Sequence, residues 1–174
     1  MSREYPDWIS PSRAAEGKRV FSGTVSLARM KRLAPLLADT QGEAAFVAAF
    51  KTDLEKRVIV ELHVTAALPL VCQASLDVYD EQVERNTALA VIEHQGEQEA
   101  LPDSYDPVQT ENGRLASASL VEDELLLGLP QIPRKPDLES VEYSTAPAGP
   151  ESGAAAEGRT KPFAALQDML KQDK

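Results

Sequence analysis

The stretch VIVELHVT, residues 58–65, alternates apolar and polar side chains with a period of two. This is the period of a β-strand, in which successive side chains point to opposite faces of the sheet. The stretch therefore predicts a strand with one face against a core. The residues predicted to face inward are Val58, Val60, Leu62 and Val64, and those predicted to face outward are Ile59, Glu61, His63 and Thr65.

The sequences on either side of this strand predict further strands. EAAFVAAF, residues 43–50, alternates with apolar groups on both sides, which allows both faces to be covered. The charged residues 51–57 are typical of a hairpin loop, and short strands are predicted at 18–23, 76–84 and 87–92. Short connections favour antiparallel neighbours, and the absence of crossover helices argues against a parallel sheet. The predicted fold class is α+β, with an antiparallel sheet of about four to six strands and a few packed helices.

Two segments have the spacing of packed helices. In residues 27–37, Leu27, Met30, Ala34 and Leu37 recur at helical intervals, with Ser26 as the N-cap and a kink or end near Pro35. The second segment is SLVEDELLLGLP, residues 119–130, in which three acids stand directly against leucines and proline ends the run.

Ser119 and Glu122 match a capping box, which would place Glu122, Asp123 and Glu124 in the first turn of the second helix. Negative charge there complements the helix dipole. The pattern predicts a helix over residues 120–127 whose start stays in water and whose leucine-rich end enters the core. The dipole accounts for the acids as simply as a docking role does, so both interpretations stay open.

The chain is predicted to have one folded domain between two extensions. Residues 1–17 are predicted as an N-terminal arm with Tyr5 and Trp8 as anchors, and residues 18–130 as a single α+β domain. Residues 131–160 are rich in proline, glycine and alanine, which predicts a disordered, flexible linker. Residues 161–174 are predicted to be a short amphipathic helical motif with one apolar stripe, made by Phe163, Leu166 and Leu170. The stripe is expected to bind a partner, and packing on the chain's own sheet is the alternative.

Charge is unevenly distributed along the chain. The net charge is -10, and residues 97–174 account for most of it, with 7 basic and 15 acidic residues. This acidic half favours a basic protein partner over a phosphate backbone. One local exception is the segment of residues 13–32, whose one acidic residue is Glu16. Its six basic residues are candidate RNA contacts: Arg13, Lys18, Arg19, Arg29, Lys31 and Arg32.

The sequence shows few signs of catalysis, metal binding or membrane insertion. The two histidines, His63 and His94, lie outside any metal-ligand spacing, and no glycine-rich phosphate loop is present. The single cysteine, Cys72, is expected to be a packed apolar side chain. The longest apolar run, residues 66–72, is far too short to span a membrane. We therefore expect a cytoplasmic protein that is not an enzyme and has no cofactor and no metal.

Three stretches of the chain resemble the YceD family of large ribosomal RNA subunit accumulation proteins. They are ALPDSYDPV (residues 100–108), LVEDELLLGLPQIP (residues 120–133) and KPFAALQDMLK (residues 161–171). The resemblance implies a non-enzymatic role in the synthesis, processing or stability of large-subunit (23S) ribosomal RNA. Many members carry a C-x-x-C pair where this chain has Cys72-Gln73-Ala74-Ser75, so the second sulfur is missing and a metal or redox role is in doubt.

The sequence thus predicts a factor in ribosome biogenesis that works by binding. The expected partner is a basic ribosomal protein or a large-subunit precursor, held by Glu122, Asp123 and Glu124 together with the C-terminal motif. Contact with ribosomal RNA would then be indirect. The alternative is a direct RNA-binding protein that uses the basic segment from Arg13 to Arg32.

Overall fold

The computed structural model describes residues 5–136 as one main sheet, a small second sheet and two α-helices. In chain order the elements are β1 (Trp8–Ile9), α1 (Pro11–Glu16), β2 (Val20–Ser26), β3 (Glu43–Thr52), β4 (Val58–Val71), β5 (Val78–Ile92), β6 (Asp106–Gln109), β7 (Leu115–Ala116) and α2 (Ser117–Gly128). The main sheet has the order β2-β3-β4-β5-β6, and β1 pairs with β7. The predicted α+β class, with four to six strands in the sheet, is confirmed.

The long hairpin of β4 and β5 forms the centre of the sheet. Val58 to Val64 follow the predicted alternation, with Val60, Leu62 and Val64 buried and Glu61 exposed. Ile59 lies on the other face, as predicted, but it is buried there and not exposed. Its partner in the ladder is Ala90 of β5, which is also fully buried. The two strands predicted at 76–84 and 87–92 are one continuous strand, and Leu76 lies in the turn before it with a φ of 64°.

One face of the sheet carries the main core, and the other is largely open. The core face receives α1, α2 and residues 27–37, which contribute Ala14, Leu27 and Leu125 to a single apolar cluster. On the open face, Val47 of β3 is 41% exposed. The expectation that both faces of residues 43–50 are covered is therefore wrong at this position.

β6 departs from the predicted antiparallel order. It pairs in parallel with the end of β5, with Asp106 opposite Leu89 and Val108 opposite Val91. Residues 93–105 carry the chain back along the sheet through a 3-10 turn, Gln95–Ala100, in place of the α-helix that such a connection usually contains. Because no crossover helix is visible in the sequence, this parallel edge was not predicted.

The helix predicted over residues 27–37 is wrong. The segment forms two 3-10 turns, Leu27–Arg29 and Ala34–Leu36, separated by Met30 in extended conformation. Its buried side chains, Leu27, Met30 and Leu33, recur every three residues, which is the repeat of a 3-10 helix. The prediction interpreted the three-residue interval from Leu27 to Met30 as α-helical spacing. It did not include Leu33, which continues the three-residue repeat.

The described part of the predicted N-terminal arm packs into the domain. Tyr5 is buried, its ring lies edge-on to Phe46, and its hydroxyl donates a hydrogen bond to the carbonyl of Thr24 at 2.7 Å. A Cβ on Gly23 would come within 2.4 Å of the Tyr5 ring, so glycine is required at that point of β2. Most of the predicted linker and the whole C-terminal motif lie outside residues 5–136.

Candidate partner-binding site

Helix α2 carries the acidic run, and it begins three residues earlier than the capping box requires. Its N-cap is Ala116, whose side chain makes no capping bond, and its first turn contains no acidic residue. The hydroxyl of Ser117 instead donates to the carbonyl of Pro6 at 2.7 Å. The predicted capping box of Ser119 and Glu122 is therefore wrong, and the three acids lie in the second turn.

Glu122 is buried and binds the segment of residues 27–37. One oxygen accepts the backbone N–H groups of Arg32, at 2.6 Å, and Leu33, at 3.1 Å, and the other accepts the Arg32 guanidinium at 3.1 Å. These two N–H groups would have been helical donors in the predicted helix. Glu122 thus accepts both donors in the turn of residues 31–33, between the two 3-10 turns. The prediction of a wet helix start is wrong, because Ser117 and Glu122 are buried.

Glu124 is the second buried carboxylate of α2. It accepts hydrogen bonds from the Thr87 hydroxyl at 2.7 Å and from the Arg85 guanidinium at 3.2 Å, both on the core face of β5. The two glutamates are two positions apart and so project about 200° apart around α2. Each is satisfied by a different element. Together they fix α2 between residues 32–33 and the central hairpin.

Asp123 points away from the core. Its side chain is 50% exposed, and one oxygen lies 2.6 Å from the Arg32 guanidinium. This hydrogen bond to Asp123, with a further contribution from Glu122, raises the pKa of Arg32 against the opposing effect of burial. Of the three acids predicted to bind a partner, the structure leaves only Asp123 accessible.

A groove runs beside Asp123, between α2 and β6. Its volume is about 310 Å³, at the lower end of the ~300–1,000 Å³ common for ligand pockets. Its exposed acids are Asp106 and Asp123, and Asp123 is also paired with Arg32. Glu124 is buried and bonded internally. The groove is lined largely by apolar side chains: Leu89, Pro107, Val108, Leu120, Leu126 and Leu127. Leu127 is 68% exposed and so presents an unburied apolar group at its edge.

Sequence reasoning missed the β6 side of this groove. Asp106, Pro107 and Val108 belong to the ALPDSYDPV stretch that carries the resemblance, but nothing in it indicates a parallel strand beside α2. The signal that was present is Leu127. The leucines of this helix surround its axis, so they cannot all face the core. A leucine that the core does not take up, here Leu127, forms an exposed apolar edge.

The six basic candidates for RNA contact divide into two groups. Arg29 pairs with Asp7 at 3.2 Å, and Arg32 is bound to Glu122 and Asp123. The others, Arg13, Lys18, Arg19 and Lys31, are exposed and make no ion pair within residues 5–136. The structure therefore separates the basic segment into residues that support the fold and residues that remain accessible.

Cys72 is buried in the turn between β4 and β5. Its sulfur accepts the backbone N–H of Lys135 at 3.5 Å and that of Ser75 at 3.4 Å. These donors, Lys135 first, lower the pKa of Cys72 to about 6, while burial acts in the opposite direction. Since the N–H of Gln73 also donates to the carbonyl of Pro133, the start of the predicted linker is bonded to this turn.

The other candidate groups do not converge on a reactive centre in the described part of the chain. His63 Nδ1 lies 2.6 Å from the Asn86 side-chain oxygen on the open face of the sheet. Between Tyr5 and residue 136, no cluster of three or more histidine, cysteine or acidic residues has the geometry of a metal site. None of the helices described here is long and apolar enough to cross a membrane. Phe163, Leu166 and Leu170 lie outside the described residues.

The described residues define an α+β protein with one main sheet and one small sheet. An apolar groove, flanked by aspartates, lies beside a helix that is held by buried carboxylates. The family model described as "Large ribosomal RNA subunit accumulation protein YceD" matches residues 60–170, and the chain belongs to this family. It is also 26% identical over 129 residues to the large ribosomal RNA subunit accumulation protein YceD of Haemophilus influenzae, covering 74% of each chain. No solved structure gives a significant match.

Proposed function

We propose that this chain supports the accumulation of large-subunit ribosomal RNA in the cytoplasm as a non-enzymatic binding protein. The matching family and the relative in Haemophilus influenzae both carry that function in their names. The direct partner in this proposal is a basic protein segment, on a ribosomal protein or on a large-subunit precursor. It lies in the groove between α2 and β6.

The observation that carries the proposal is the composition of this groove. Apolar side chains line it, Leu127 lies exposed at its edge, and Asp106 and Asp123 supply negative charge. An amphipathic segment with an apolar face and flanking Lys or Arg residues complements such a surface. The net charge of -10 favours the approach of a basic partner in the same way.

The internal bonds of α2 support this role because they fix one wall of the groove before a partner arrives. Glu122 and Glu124 attach the helix to residues 32–33 and to β5. A wall that is already ordered loses little conformational freedom on binding, and less of the interaction energy is spent on ordering it. The buried acids therefore shape the groove, and Asp123 contacts the partner.

We include the C-terminal motif in the proposal as a second contact. The family match extends to residue 170 and so includes Phe163, Leu166 and Leu170. Their spacing in the sequence gives one apolar stripe on a helix of about three turns, which is marginal on its own in water. A helix of this kind gains stability from the surface that it binds.

The groove is tested with a pair of matched apolar-to-acidic variants. Leu127→Asp changes the groove edge, and Leu54→Asp changes a still more exposed leucine in the β3–β4 loop. In cells that lack the native copy, we expect Leu54→Asp to restore the ratio of 23S to 16S ribosomal RNA and Leu127→Asp to fail. Restoration by both variants would contradict the groove.

The charge of the groove is tested by recovering the partner with the tagged chain. Asp106→Asn combined with Asp123→Asn should reduce recovery of the basic partner about 10-fold, as expected for loss of charged contacts. Glu99→Gln combined with Asp103→Asn removes the same charge at other exposed positions and should leave recovery unchanged. Equal loss in the two double variants would indicate a general charge effect and would contradict this site.

A further inference from the structure

A second pocket, which shares no lining residue with the groove beside α2, combines the exposed tryptophan with unpaired arginines. It has a volume of about 150 Å³ and lies between β1, α1 and the start of β2. Trp8, Arg13, Arg19 and Phe21 line it, together with small groups from Pro6 to Ala14. The pocket lies entirely before residue 60, where the family match begins, and it is separate from the groove beside α2.

Local backbone structure explains why these side chains come together. In β1, Ile9 is buried while its neighbour Trp8 is 47% exposed, since successive strand side chains point to opposite sides. Helix α1 ends in a tight turn in which the N–H of Arg19 donates to the carbonyl of Ala14 at 2.9 Å. This turn, with Lys18 at a φ of 45°, brings Arg19 back beside α1, the helix that carries Arg13.

The Trp8 ring is available to a ligand. Within residues 5–136 it takes part in no aromatic pair and in no cation–π contact, although Tyr5, Phe21, Phe46, Phe50 and Tyr105 all do. An accessible indole beside guanidinium groups is a combination that stacks nucleic-acid bases and contacts the adjoining phosphates. A purely apolar ligand would leave the two arginines without a function.

The charge around the pocket differs in sign from the charge of the chain as a whole. Arg13, Lys18 and Arg19 are exposed and make no ion pair with any residue that the structure describes, whereas Arg29 and Arg32 are engaged with acids. Glu16 is the one acidic residue on α1. On a chain of net charge -10, two unpaired arginines that line one aromatic pocket, with Lys18 next to Arg19 in the chain, attract a polyanion locally.

We propose that this pocket binds one nucleotide of single-stranded RNA, with the base stacked on Trp8 and the flanking phosphates on Arg13 and Arg19. The choice of RNA rests on the proposed role in ribosomal RNA accumulation. The small volume admits a single base, and a duplex would keep its bases stacked and out of reach. The chain then contacts RNA directly through this surface and protein through the groove beside α2.

The chain has one tryptophan, so tryptophan fluorescence reports this pocket alone. The full chain is titrated with a labelled single-stranded RNA oligonucleotide of mixed sequence, and both indole emission and RNA anisotropy are followed. Expected results are saturable quenching in parallel with the anisotropy, and a Kd of about 10⁻⁶–10⁻⁴ M that weakens as salt increases. Anisotropy that saturates without any change in indole emission would overturn the proposal.

Two variants separate stacking from charge. Trp8→Ala should weaken binding about 5- to 100-fold, and Trp8→Phe, which retains an aromatic face, should recover most of the loss. Arg13→Gln combined with Arg19→Gln should reduce the slope of log Kd against log salt by about 1.4, or about 0.7 for each phosphate contact. Thermal melting of each variant confirms that the domain is folded.

Lys56→Gln combined with Arg114→Gln is the control, because it removes two exposed cations that lie away from the pocket. An equal decrease in slope for this control would overturn the proposal, as would full affinity in Trp8→Ala. In cells, the Arg13 and Arg19 variant shows whether the pocket serves a protein instead. If this variant lowers the level of 23S ribosomal RNA in cells but binds RNA normally in vitro, the pocket binds a protein and the RNA proposal is overturned. That result would leave the proposal for the groove beside α2 unchanged.

Discussion

The interior side of α2 and its exposed side carry the same kind of residue for different purposes. Glu122 and Asp123 are adjacent, both acidic and both in contact with Arg32, yet Glu122 is 7% exposed and the Asp123 side chain 50%. Successive residues on a helix point about 100° apart, so neighbours in sequence face different surroundings. An acidic run on a short helix is therefore two sets of residues, and only the outward set is available to a partner.

Removing the interior carboxylate should have the largest effect on stability. Glu122→Ala leaves the backbone N–H groups of Arg32 and Leu33 without an acceptor, which should cost about 2–4 kcal/mol in the free energy of unfolding. Glu122→Gln keeps one acceptor oxygen and should cost less. Denaturant unfolding measures both, with Asp123→Ala as the control on the exposed side. A loss in that control as large as in Glu122→Ala would remove the distinction between the two sides.

The close contact at the end of α2 gives the next largest effect. A Cβ on Gly128 would lie 2.6 Å from Val83 Cγ1, so Gly128→Ala should destabilise the domain by about 1–3 kcal/mol. Adding Val83→Ala removes the obstructing methyl group, and Gly128→Ala should then cost clearly less than in the native background. Gly96→Ala introduces a Cβ with no neighbour within 4 Å and should be close to neutral. Equal cost in both backgrounds would show that the contact is not the cause.

Cys72 extends the comparison to a second interior acceptor. Its sulfur takes backbone N–H groups from a distant segment, as Glu122 does, but a thiol is a weaker acceptor than a carboxylate. Truncation in Cys72→Ala should cost about 1–2 kcal/mol. Equal stability of Cys72→Ala and the native chain at every pH would contradict an interior role.

The pH dependence of this effect has a definite sign. A pKa lowered to about 6 means that folding favours the thiolate. The added stability is fully present above the unfolded thiol pKa of about 8.5 and is lost as the pH falls through about 6. The difference in free energy of unfolding between the native chain and Cys72→Ala should therefore increase as the pH rises from about 6 to about 8.5. An alkylation rate of the native thiol that already falls as the pH drops from about 8.5 to 7.5 would contradict the lowered pKa.

The smallest effect on stability is expected at the far end of the chain. Deleting Lys161 to Lys174 should leave the melting temperature unchanged and reduce the accumulation of 23S ribosomal RNA, since the predicted helix is marginal without a partner. A substitution of Phe163, Leu166 and Leu170 by serine should reproduce the loss at full length. A large decrease in melting temperature would instead show that these residues stabilise the domain.

The sheet was predictable from sequence because its signal is local. Val58 to Val64 alternate with the period of a strand. Asn112-Gly113 is a typical turn pair and forms a turn with φ values of 52° and 70°. Residues 27–37 were predicted as an α-helix because a three-residue step fits both helix types. What decides their conformation is Glu122, about 90 residues away. The groove depends likewise on a parallel pairing of β6 that no local pattern indicates.

The bond between Glu122 and residues 32–33 also has a consequence for the order in which the chain folds. The β4–β5 hairpin closes over a short turn, whereas the contact of Glu122 with Arg32 joins residues separated by 90 positions. A contact that closes so long a loop carries a large entropic cost and belongs to the late steps of folding. Loss of this carboxylate should therefore appear as faster unfolding, while the rate at which the sheet first assembles changes little.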